Sequence, residues 1–198
     1  MTKYVLNSGG IGAHPDLKKK FFEEIVEDLG NNPKILFSFF AEKRENWELK
    51  HEEYTKGFSD ALSSEVKPEF ELAFPDRFEE QISRADALYI HGGDDHLLLY
   101  WLSQFDLPKI WVDKVIATNS ASSNILSKHF WTCDWRQRFD GFGILPIKFI
   151  SHYQSDYGSD DPRGPIDWGK AYEELKNYGD QSLPIYALEE GEFKVFEA

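Results

Sequence analysis

Cysteine is almost missing from this chain. Cys133 stands alone, which excludes an internal disulfide and any metal cluster built on cysteine. Long apolar runs are missing too: no segment approaches the roughly 20 residues needed to cross a bilayer as a helix. Positive charge is scarce, with 22 Lys and Arg against 35 Asp and Glu and a formal net charge of −13. A nucleic-acid partner needs a basic stripe to displace counterions from phosphates. The one basic cluster, Lys18-Lys19-Lys20, runs straight into Glu23, Glu24, Glu27 and Asp28 and reads as the wet face of a helix. Neither nucleic acid nor membrane is expected as a partner. The opening residues, Met1 to Gly10, read as a strand and a turn rather than an apolar leader, so a cytoplasmic location is expected.

Aromatic residues, by contrast, are plentiful. Six Trp, nine Tyr and 16 Phe in 198 residues can fill a sizeable core, which excludes disorder. The length suits one domain over residues 1–198, as a monomer or homodimer. Short apolar runs alternate with amphipathic stretches, the pattern of a mostly parallel sheet covered by helices on both faces. Strands are predicted over 4–7, 34–40, 70–74, 87–90, 115–118 and 142–150. Helices are predicted over 15–29, 44–62, 78–84, 121–128 and 166–177, with another carrying Leu97 to Leu102. Residues 153–165, rich in Asp, Gly, Ser and Pro, read as a loop. Residues 185–188 and 193–196 read as a closing hairpin around Glu190-Gly191.

Ligands of such sheets bind beyond the carboxyl ends of the strands, and three strand ends carry reactive residues. The first is Val115-Ile116-Ala117-Thr118-Asn119-Ser120-Ala121-Ser122-Ser123-Asn124. An apolar run stops at a serine followed by small residues, as a nucleophile elbow requires: the serine takes a strained backbone conformation, and its neighbours two away must not clash. Glycines usual at those neighbours are replaced by Thr118 and Ser122. A serine-rich helix cap is the simpler reading of the same residues. The second strand end is His91-Gly92-Gly93-Asp94-Asp95-His96. Its glycines let backbone N–H groups approach a substrate, while its two His and two Asp also admit a metal site or an ordinary capped turn. The third is Phe149-Ile150-Ser151-His152-Tyr153, where a histidine at the rim could take a proton from Ser120.

Taken in order, these blocks resemble the peptidase E (alpha-aspartyl dipeptidase) and cyanophycinase family of serine peptidases. Members carry a strand ending in Gly-Gly before a Leu-rich helix, matched by Gly92-Gly93-Asp94-Asp95 and Leu97 to Leu99. A Gly-x-Ser-Ala-Gly-Ala-Asn-like elbow is matched by Thr118 to Asn124, and a Leu-Phe-Pro-Leu-x-Ile-x-Pro-His-Phe-like run by Ile144 to Tyr153. The resemblance implies an α/β fold, three-layer α/β/α with a mostly parallel sheet, of the class I glutamine-amidotransferase-like (flavodoxin-like) kind. It implies Ser120 as nucleophile, His152 as general base and Asp134 as the third triad member, with Asp140 as fallback. Backbone N–H groups of Gly93 and Ala121 would form the oxyanion hole. Asp95 and Asn124, inside the matched blocks, and Arg163, in the acidic loop, are candidates for contacting a small peptide substrate. No cofactor is expected. Peptidase E selects an amino-terminal aspartate through a positive residue, whereas the 153–165 loop here is acidic and offers only Arg163. A free amino terminus or a basic side chain, as in cyanophycin-like substrates, suits that charge better. An esterase or amidase on the same triad, and an inactive member that binds a ligand, are the competing expectations.

Overall fold

Strands buried on both faces must be apolar throughout, because neither side meets water; four of the runs above meet that condition and form the centre of the molecule. The computed structural model describes residues 1–198. Strand β1 (Lys3–Asn7) leads to helix α1 (Pro15–Val26), then β2 (Lys34–Ser38), α2 (Trp47–Ala61), β3 (Glu69–Leu72), α3 (Phe78–Arg84) and β4 (Ala87–Ile90). Helix α4 (Asp95–Leu102), β5 (Val115–Asn119) and α5 (Ala121–Leu126) follow. These strands, with the last one, β10 (Phe193–Glu197), make a six-stranded sheet ordered β10-β1-β5-β4-β2-β3. All its pairings are parallel except β1 with β10. β4 and β5 are buried along their whole length, while the edge strand β3 alternates between half-buried and exposed residues. A core of 37 buried residues is built on this sheet and its helices and extends to Phe130, Leu145, Ile147 and Phe149 beyond it. Phe22 and Phe58 stack in it at 4.0 Å, joining α1 to α2.

The chain departs from the expected single sheet after α5. Ser127 donates its hydroxyl to the carbonyl of Asn124 at 2.6 Å, which ends the helix early, and His129-Phe130-Trp131 continue as a strand. Strands β6 (Ser127–Thr132), β7 (Gln137–Asp140), β8 (Leu145–Ile150) and β9 (Ile185–Ala187) build a second sheet ordered β7-β6-β8-β9. Helix α6 (Trp168–Lys176) covers it, with Trp131, Cys133, Ile150, Ala171 and Leu175 as a small separate core. The expected closing hairpin does not form. β9 pairs in parallel with β8, whereas β10 pairs antiparallel with β1, so the residues between them cross from one sheet to the other. Each strand finds a longer apolar partner elsewhere than it would in its sequence neighbour.

One buried cation is structural. Lys148 in β8 is wholly buried, and its ammonium donates to the carbonyls of Leu175, Lys176 and Tyr178 at 2.9, 2.9 and 2.6 Å. It satisfies the free carbonyls at the end of α6, where the helix dipole is negative. No helix is long and apolar enough to cross a membrane.

Candidate active site

The ends of β1, β4, β5 and β8 converge on one rim. At the end of β5, Ser120 takes φ 56° and ψ −115°, a conformation that an L-residue holds only under outside constraint. The constraint is visible. Its N–H donates to the carbonyl of Asn7 at 2.9 Å, tying the turn to β1. The two positions without glycine add hydroxyls instead. Ser122 donates to the carbonyl of Ile90 at 2.6 Å and accepts the N–H of Asn119 at 2.8 Å. Thr118 lies 2.8 Å from the hydroxyl of Ser123, which donates in turn to the carbonyl of Asn7 at 2.7 Å. All three side chains are buried. The elbow thus keeps its form without glycines: Ser122 bonds the backbone on either side of it, and Thr118 bonds the Ser123 hydroxyl that anchors the turn to β1.

The hydroxyl of Ser120 lies 2.9 Å from Nε2 of His152, and Nδ1 of His152 lies 2.7 Å from Oε1 of Glu190. Donation of Nδ1–H to the carboxylate leaves Nε2 free to accept the serine proton, the tautomer that a general base needs. His152 itself has φ 55° and is held by donating its N–H to the hydroxyl of Ser8 at 2.7 Å. Burial pushes the imidazole below its ordinary value, and the bond and charge of Glu190 pull in the other direction. The net shift is downward, so the neutral base prevails at pH 7. The N–H of Gly93 has no backbone acceptor, and Ala121 opens α5, where N–H groups at the helix start favour negative charge.

Gly9 and Gly10 form the floor beneath this chain of groups. A Cβ at Gly9 would overlap Cε1 and Nε2 of His152, and one at Gly10 would come within 2.6 Å of the Glu190 carboxyl carbon. Both glycines also have positive φ, at 105° and 65°, which an L side chain resists. Gly9→Ala is therefore expected to displace the imidazole and lower hydrolysis by about 100-fold, since a shift near 1 Å suffices for that. Steady-state kinetics on the folded variant would check it; activity within threefold of the parent would show that the imidazole tolerates the intrusion.

Several expected residues sit elsewhere. Asp134 does not bond His152: its carboxylate accepts from the hydroxyl of Tyr157 at 2.9 Å, because β6 runs past the rim before turning. Glu190 takes the expected place, delivered by the crossing from β9 to β10. The fallback, Asp140, pairs with His129 at 2.6 Å across β6 and β7. Asp95 and Asn124, expected to touch substrate, are buried behind the elbow. Asp95 accepts from Thr132 at 2.6 Å and from Asn124 at 3.3 Å, and Asn124 accepts from Ser151 at 2.9 Å. Burial raises the Asp95 carboxyl to about 6. Arg163 is occupied by Asp161, through Nε at 2.8 Å and Nη2 at 2.6 Å, and by the carbonyl of Asp134 at 2.8 Å. The residues of the alternative metal reading disperse: His91 turns to Glu42, Asp94 caps α4, and His96 packs on Trp135. Among His, Cys, Asp and Glu, no group of three comes together in a way that could hold a metal ion.

A strained serine on a strand-to-helix turn, backed by an imidazole and a carboxylate, is an arrangement able to cleave an acyl bond, and it sits here on an α/β fold. Residues 4–197 match the model of peptidase family S51, and the chain belongs to that family. It is a peptidase, with an α/β fold of mostly parallel strands flanked by helices, consistent with the flavodoxin-like type. A solved peptidase from an acI-B1 Actinobacterium is similar over 99% of this chain and 83% of its own, at 20% identity and a TM-score of 0.67. A putative peptidase E protein from Listeria monocytogenes EGD-e is similar over 100% of this chain and 99% of its own, at 16% identity and a TM-score of 0.64. No curated protein sequence matches the chain significantly.

Proposed function

We propose that this protein is a serine peptidase acting on short peptides through Ser120, His152 and Glu190. The continuous run of bonds from Ser120 through His152 to Glu190, at 2.9 and 2.7 Å, carries the reading. His152 takes the hydroxyl proton at Nε2 as Oγ of Ser120 bonds to the peptide carbonyl carbon. The resulting oxyanion is held by the N–H groups of Gly93 and Ala121. Nε2 then returns the proton to the leaving nitrogen as the C–N bond breaks, and water releases the acyl group by the same steps in reverse order. Glu190 holds the Nδ1–H tautomer and balances the imidazolium charge.

The charge near the site supports cationic substrate ends. Arg163 is neutralised by Asp161, and Asp134 lies exposed beside Tyr157, so an aspartyl side chain finds no free positive partner there. A free amino terminus or a basic residue is the preferred feature. A fluorophosphonate probe is expected to place one adduct on Ser120, located by mass mapping of the labelled peptide, and dipeptides opening with Arg or Lys are expected to be cut faster than their N-acetylated forms. A folded protein that takes up no adduct would overturn the serine mechanism. Equal cleavage of acetylated and free peptides would overturn the preference for a free amino terminus.

A further inference from the structure

The ring of Tyr157 lies on the imidazole of His152, with centroids 4.2 Å apart and planes 29° from parallel. The bonds of Ser120, His152 and Glu190 to one another do not include this contact. Tyr157 comes from the 153–165 loop, a segment that could otherwise swing freely over solvent. Here it is fastened to the turn between β6 and β7 from both ends. Arg136, from that turn, donates to the carbonyls of Gly158 at 3.3 Å and Pro165 at 3.5 Å, and also to that of Gly164. From the loop side, the hydroxyl of Tyr157 donates to the carboxylate of Asp134, and Arg163 donates to the carbonyl of the same residue. Asp134 is therefore held through both its side chain and its backbone, and the ring is held by Asp134.

Resting on the serine mechanism above, we infer that Tyr157 is a positioning residue for the base, and that Asp134 acts on His152 through it. Nδ1 and Nε2 fix the imidazole in its own plane, through Glu190 and Ser120, but leave it free to rock about the line joining them. A ring packed face to face removes that freedom and keeps water off the imidazole. Gly9 also packs against Cε1 and Nε2 of the imidazole, and the Tyr157 ring adds a second contact, over its face. The charged and titratable groups that bear on the imidazole are Glu190, from the β9–β10 crossing, and Asp134, from the β6–β7 turn; both raise it, against the larger effect of burial. Taking the Tyr157 ring away wets the imidazole, weakens the effect of burial and moves its titration up toward 6.5.

The test is the rate of fluorophosphonate labelling of Ser120 as a function of pH, which needs no knowledge of the natural substrate. Labelling rises as His152 loses its proton. Tyr157→Ala is expected to lower the plateau about tenfold, through loss of alignment, and to move the midpoint to higher pH. Tyr157→Phe keeps the stacked ring and is expected to keep the midpoint and most of the plateau. Asp134→Asn is expected to move the midpoint slightly down in either background, because its charge raises the imidazole directly, and to lower the plateau modestly in the parent but not in the Tyr157→Phe background. A Tyr157→Ala protein that folds, labels, and matches the parent in plateau and midpoint would overturn the inference alone. A full plateau effect of Asp134→Asn on top of Tyr157→Phe would overturn the route through the tyrosine. A parent protein that never labels would instead remove the serine mechanism, and this inference with it.

Discussion

Ser120→Ala is expected to lower peptide hydrolysis by about 10⁵-fold, or some 7 kcal/mol of transition-state stabilisation, because the group that forms the covalent bond is gone. Stability should hardly change. The Ser120 hydroxyl bonds only His152, and alanine keeps the same small volume at the same strained φ of 56°, so a change within about 1 kcal/mol is expected. Thermal unfolding and steady-state kinetics on one preparation would separate the two effects. Residual hydrolysis within tenfold of the parent would mean that Ser120 is a structural turn residue and that the chemistry happens elsewhere.

Glu190→Gln is expected to lower the plateau of hydrolysis by about 10³-fold. A glutamine can present its amide to Nδ1, which drives the proton to Nε2 and points a donor at the serine where an acceptor is needed; replacing the carboxylate of a triad in this way costs up to about 10⁴-fold. The lower figure reflects the partial exposure of Glu190, whose side chain is 28% accessible, so water can take over part of its role. The pH profile gives a second readout. Glu190 raises His152, by hydrogen bond and by charge, so its loss should move the midpoint of activity down while the plateau falls. The shift is opposite in sign to the one expected for Tyr157→Ala, and this separates the carboxylate that supports the base from the ring that shields it. Asp134→Asn should be far milder than Glu190→Gln. The reverse order would return Asp134 to the third place of the triad.

The misplacement of the carboxylate has a physical origin. Asp134 follows the elbow at a short distance, but sequence distance says little about space once the chain enters a second sheet. β6 carries Asp134 past the rim, where it meets Tyr157 rather than His152. Glu190 looked like one half of a hairpin turn, since two short apolar runs flank Glu190-Gly191. It is a crossing between sheets. Nothing local distinguishes the two, because the choice depends on β8 and β1 offering better edges than the two strands offer each other. Asp95 and Asn124 differ for a related reason: polar residues in a matched block point to a substrate, whereas these two satisfy one another in the interior. Gly9 and Gly10 were read as a turn. Their closeness to His152 and Glu190 becomes visible only when residues 9, 152 and 190 are placed together.

What the linear order of residues determined was local and periodic: the fully apolar runs that had to be central strands, the capped amphipathic stretches that had to be helices, and a serine and a histidine each stranded at a strand end. Such features depend on contacts within a few residues, or on whether a face meets water. The tertiary structure alone decided which carboxylate reaches His152, which aromatic ring stacks on it and which polar residues are sealed inside. Those outcomes rest on pairing between strands that are not neighbours in sequence, β9 with β8 and β10 with β1, where competing edges differ by the sum of many small packing energies.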